Sequence, residues 1–134
     1  MPTLHLRITP NTNNGITKVF LSNPIRSQNL TLHSAIINKA GASFAHSQIY
    51  IRLPFLSSNQ FHSTDRKGYL TFPTQKNTAG IETYNFGSGL LLETDHIPET
   101  FELQLLDGNS AAITSATNFT SIDLYFSYET HSLF

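Results

Sequence analysis

Apolar and polar residues alternate along most of this chain, and a period of two predicts strands rather than helices. The clearest run is Ser121–Glu129, where Ile122, Leu124, Phe126 and Tyr128 alternate with Ser121, Asp123, Tyr125 and Ser127. Near the start, Leu4, Leu6 and Ile8 alternate with His5 and Arg7, and the Pro10–Gly15 run ends that strand with turn chemistry. A second strand is predicted over about Ile16–Ser22, broken by Asn23-Pro24. Leu30, Leu32 and Ile36 mark a third that closes near Asn38–Gly41, and Ile49, Ile51 and Leu53 mark a fourth ended by Pro54. Tyr69–Phe72 is a short fifth strand stopped by Pro73. The sixth, about Glu82–Glu93, is interrupted by Gly87-Ser88-Gly89, which predicts a bulge or a close backbone approach. Pro98 precedes a seventh, in which Phe101, Leu103 and Leu105 alternate with Glu102 and Gln104, and Asp107-Gly108-Asn109 is a turn signal before the eighth. The best helix candidate, Ser34–Ala45, carries Ile36-Ile37 and Gly41 without a cap pattern and predicts no more than a single turn.

Eight strands in 134 residues predict one all-β domain spanning 1–134, with two sheets closed over a single core. An immunoglobulin-like sandwich, an up-and-down barrel and a jelly roll would all fit that count, and the charge distribution favours the last. Residues 1–64 hold Arg7, Lys18, Arg26, Lys39 and Arg52 and no acid, whereas all the acids lie in residues 65–134. An eight-stranded single jelly roll builds two antiparallel four-stranded sheets, in orders 1-8-3-6 and 2-7-4-5. Every neighbouring pair then joins a strand from the basic half to one from the acidic half. Opposite charges on neighbouring strands stabilise by roughly 0.2–1 kcal/mol per pair. Arg7 and Asp123 are thereby expected on one outer face, and Arg52 and Glu102 on another.

The same order sorts the connections onto two ends. Residues 10–15, 38–46, 73–80 and 107–119 would make one end, rich in Asn, Thr, Ser, Gly and Ala. Residues 23–28, 54–68 and 93–99 would make the other, with Arg26, Asp65, Arg66, Lys67, Glu93, Asp95 and Glu99. A near-neutral end can crowd around a symmetry axis without like-charge repulsion. Charged residues make up only 13% of the chain, against a typical ~25%, and Ser, Thr and Asn fill their place. Neutral polar surface loses less on desolvation, which suits a protein packed against many neighbours. A net charge of −1 gives no general attraction to nucleic acid or membrane. No apolar run reaches the ~18–20 residues of a membrane span, and no signal peptide is expected. With no cysteine, disulfides and thiolate metal sites are excluded.

Little in the chain points to catalysis. His5, His33, His46, His62, His96 and His131 form no HxH or HExxH pair, so no metal or other cofactor is expected. Asp107-Gly108-Asn109 lacks the repeated acids of a calcium loop, and Gly87-Ser88-Gly89 lacks the strand-to-helix setting of a nucleophile elbow. No catalytic residue is assigned and an enzyme is not expected. Phe55, Leu56, Leu133 and Phe134 are apolar residues outside the strand patterns. They read equally as cover for the domain's own core and as contacts with a neighbouring subunit, and are the candidate interface residues.

The stretches Ile49–Phe55, Ile97–Gly108 and Ile122–Tyr128, within the eight-strand pattern, resemble single-jelly-roll viral capsid proteins. The likeness is to penton or minor capsid proteins of double-jelly-roll-lineage DNA viruses, such as polinton-like viruses, virophages and adenovirus-like elements. The resemblance implies a non-enzymatic shell protein located in the virion. It would assemble as a homopentamer at five-fold vertices, in contact with neighbouring capsid proteins and without inserting in a membrane. Strand 1 begins near Thr3, so the basic N-terminal arm with which some capsid jelly rolls hold a genome is not evident, and no direct nucleic-acid contact is expected. A trimeric fibre head or a tumour-necrosis-factor-like receptor- or carbohydrate-binding module is the alternative expectation.

Overall fold

Eight strands and no helix make up the described part of the chain, in the order β1 (Thr3–Ile8), β2 (Ile16–Phe20), β3 (Asn29–Lys39), β4 (Gln48–Arg52), β5 (Tyr69–Pro73), β6 (Gly80–Glu93), β7 (Thr100–Asp107) and β8 (Ser121–Tyr128). The structure is a computed structural model that describes residues 2–11, 13–26, 29–39, 44, 47–56, 68–76, 78–109, 111–114 and 119–129. The strands form two four-stranded antiparallel sheets in the orders β1-β8-β3-β6 and β2-β7-β4-β5. This is the single jelly roll predicted from the charge split.

The alternating apolar residues meet between the sheets. Leu4, Leu6 and Ile8 of β1 stand opposite Phe126, Leu124 and Ile122 of β8, and all six are buried. Ile49 and Ile51 of β4 face the same core as Leu103 and Leu105 of β7. Two turns show why particular residues stand where they do. Gly15 has φ +70°, and a Cβ there would lie 2.7 Å from the Leu105 carbonyl oxygen, so only glycine lets the β1–β2 turn press on β7. The Asp107 carboxylate accepts hydrogen bonds from the Asn109 and Ala111 amides at 2.8 and 3.0 Å, which identifies this segment as an Asx-type turn.

The irregularity expected at Gly87–Gly89 is shared with its neighbour. Between Leu32 and Ser34 the register shifts on both sides of β3: against β8, His33 is one extra residue on β3, whereas against β6 the four residues Phe86–Gly89 stand beside it. Beyond that shift the inward phase of β3 moves from Leu30 and Leu32 to Ala35, Ile37 and Lys39, all buried. The strand therefore carries a lysine into the core. Lys39 is 1% exposed; its Nζ donates to the Gln75 carbonyl at 2.9 Å and lies 3.3 Å from Glu82 Oε2. Glu82 Oε1 accepts from the Gln75 amide at 2.6 Å. This buried ion pair joins the end of sheet β1-β8-β3-β6 to the chain leaving β5. It also removes Lys39 from the surface of the predicted neutral end, where Lys76 and Asp107 are the other charged residues.

Candidate assembly surfaces

Phe55 and Leu56 belong to the core, which corrects their reading as subunit contacts. Each is 3% exposed. The Phe55 ring packs edge-on against Phe101 with centroids 5.0 Å apart, and its carbonyl accepts from the Asp95 amide at 2.7 Å. Leu56 forms an isolated β-bridge with Thr94. The segment after β4 is thus laced to the segment after β6, which leaves neither apolar side chain for a neighbour. Leu133 and Phe134 lie outside the described residues, as do His46, His62 and His131.

On the outer face of the first sheet, central strand β8 gathers polar partners from both sides. Arg7 stands directly opposite Asp123, as the charge split predicts, with Arg7 Nε 4.0 Å from Asp123 Oδ1. His5 makes the closer contact. Its Nε2–H donates to the same oxygen at 2.7 Å, since an ionised carboxylate can only accept. The His5 ring lies flat on Tyr125, centroids 4.5 Å apart and planes 4° from parallel. Two residues further on, His33 Nε2 and Ser127 Oγ lie 2.6 Å apart. Serine, histidine and aspartate thus share one face but form two separate pairs, because Asp123 bonds to His5 rather than to His33. Among the described residues no group of histidines and carboxylates could hold a metal ion. The signal for this cluster in the sequence is that His5 shares the polar phase of Arg7.

The other expected pair is displaced by one rung. Arg52 stands opposite Gln104, and Glu102 stands opposite Lys18. Arg52 and Glu102 share the outer face of the second sheet and line one shallow groove along β7. At the opposite side, β5 and β6 frame an apolar cleft of about 390 Å³ lined by Gln48, Thr71, Phe72, Pro73, Tyr84 and Phe86. The Tyr84 hydroxyl donates to the Pro73 carbonyl across this opening. Burial, and then the Glu82 carboxylate, raise the Tyr84 pKa above its usual 10.0.

The most exposed large apolar side chains stand on edge strands. Phe20 on β2 is 74% exposed, and Ile81 and Leu91 on β6 are 65% and 61% exposed. The four sheet edges differ. Strands β1, β2 and β5 have 6, 5 and 5 residues, and Arg7, Lys18 and Pro73 respectively guard them. Strand β6 has 14 residues and no charge from Thr83 to Leu92. Edge strands are normally short, charged or interrupted, since an open one invites pairing.

Against protein-family models, characterised proteins and solved structures, the chain finds no match. What the structure defines is a fold: a single jelly roll whose most exposed large apolar residues among those described, Phe20, Ile81 and Leu91, lie on edge strands. Among the described residues no helix is long and apolar enough to cross a membrane.

Proposed function

We propose that this chain is a structural capsid component, a penton-type vertex protein that assembles as a symmetric homo-oligomer, with five copies favoured. The observation that carries the reading is a jelly roll whose large exposed apolar residues stand at opposite edges of the sandwich. The centre of a subunit contact is built from apolar residues, and sheet edges that carry them offer such contacts to a neighbour. The low charge of the chain and its resemblance to single-jelly-roll capsid proteins support the same reading. On this view its work is binding without catalysis, its partners are further copies of itself and neighbouring shell proteins, and its place is the virion. Electron microscopy of the purified chain at high concentration tests it. Closed rings of five copies support it; rings of three would transfer the reading to a fibre-head or receptor-binding module. A protein that stays monomeric at every concentration and never co-purifies with particles would contradict both.

A further inference from the structure

Two of the exposed apolar residues lie at the same end of the strands on opposite sides of the sandwich. Leu91 shares one rung of the first sheet with Thr31, Ser127 and Thr3. Thr3 lines a depression with Leu21, Ser22, Asn23, Pro24 and Ile25, the residues that directly follow Phe20. Phe20 on β2 and Leu91 on β6 therefore lie at the same end of the strands, at edges separated by the full width of the domain. Each also stands on an outer face: Phe20 on that of the β2-β7-β4-β5 sheet, Leu91 on that of the β1-β8-β3-β6 sheet.

The charges beside them have opposite signs. Lys18 is two residues from Phe20 in the same outward phase, and Glu93 is two residues from Leu91 in the same phase. The edge strands β1 and β2 carry only basic charges, Arg7 and Lys18, whereas the outward charge of β6 is Glu93, its other acid, Glu82, being turned inward onto Lys39. Neighbouring acids partly offset the basic pair, since Lys18 faces Glu102 in register and Arg7 lies 4.0 Å from Asp123. The charges therefore orient the contact, and the apolar residues supply most of its strength.

We infer that the outer face at Phe20 and Lys18 of one copy packs on the outer face at Leu91 and Glu93 of the next, head to tail, so that copies overlap like roof tiles around a closed ring. A two-fold contact would set each patch on itself, placing lysine against lysine or glutamate against glutamate, and would leave the other patch bare. A heterologous contact uses both patches in every copy and closes when the rotation between copies divides a full turn. Placement at the same end suits closure about an axis parallel to the strands, because a large offset along that axis would generate a helix.

This inference rests on the proposed homo-oligomer and names its contact. Because the chain has no cysteine, oxidative cross-linking reads the contact against a clean background. A disulfide needs Cα atoms within about 7 Å, so collisions between distant surfaces do not mimic it under brief, mild oxidation. The variants are Phe20→Cys, Leu91→Cys and the double variant, both positions being exposed and outside the core. The expected result is no cross-link in either single variant, a covalent dimer when the two are mixed, and a ladder ending in a closed ring for the double variant. A single variant that cross-links to itself would overturn the head-to-tail contact. So would absence of cross-links in every sample while the unaltered chain still runs as a ring; in that case the homo-oligomer stands and only this interface falls. If the unaltered chain is monomeric at every concentration, the homo-oligomer falls as well.

Discussion

Strands β8 and β6 belong to the same sheet and use the same alternation, yet they end in opposite conditions. Strand β8 lies between β1 and β3, and its polar phase is closed over by neighbours: Asp123 by His5 and Arg7, Ser127 by His33, Tyr125 by the His5 ring. Strand β6 has β3 on one side and, among the described residues, no strand on the other, and its outward phase carries Ile81 and Leu91 into solvent. Alternation thus tells which residues share a face. Position in the sheet decides whether that face is covered by neighbouring strands or left exposed.

The largest effect is expected where β6 is anchored. Replacing Glu82 with Leu leaves the buried Lys39 ammonium without its counter-charge, and such a loss costs about 4 kcal/mol. The double substitution Glu82→Leu with Lys39→Met should recover most of it, and urea unfolding of the three proteins measures both. Next comes the contrast itself. Leu124→Ala in β8 opens a fully buried site and should cost on the order of 3 kcal/mol, whereas Leu91→Ala in β6 should change the stability of the single chain by no more than about 0.5 kcal/mol. Equal losses at the two positions would erase the distinction between covered and exposed faces.

Gly89→Ala is a smaller test of how β6 lies on β3. Its φ is +112°, and a Cβ would come 2.2 Å from Thr31 Cγ2, so destabilisation of about 1–2 kcal/mol is expected by thermal unfolding. Alanine at Gly87, where φ is positive but nothing lies within 4 Å of the added carbon, should cost less. The smallest effect concerns Tyr84 at the β5–β6 opening. Because folding raises its pKa, the protonated hydroxyl contributes stability that is fully present below the usual value of 10.0 and is lost as pH rises through the folded value. Tyr84→Phe should therefore flatten the alkaline end of the stability profile, and near neutrality it should cost only the hydrogen bond to the Pro73 carbonyl, about 0.5–1 kcal/mol.

Much of this arrangement was legible in the chain. Strands β1, β7 and β8 alternate cleanly because each has one apolar face, and the strand order followed from basic residues in one half and acidic ones in the other. Lys39 was not legible as a core residue, because the extra residue at His33 shifts the phase of β3; counting by two from Leu32 lands on Ser34 rather than Ala35. Phe55 and Leu56 were ambiguous for a different reason. Their burial depends on Thr94 and Asp95, far along the chain, and no local pattern encodes that pairing. Leu91 was visible only inside the Leu90–Leu92 run and Ile81 only as the residue before the predicted sixth strand, and their exposure became apparent once β6 was placed at an edge.

Hydrogen–deuterium exchange at low and high protein concentration tests most directly the claim that edge strands serve assembly while central strands complete the fold. Peptides covering β8 should exchange slowly at both concentrations, and those covering β2 and the Leu90–Glu93 end of β6 should become protected only at high concentration. Assembly without added protection at β2 and β6 would contradict the account.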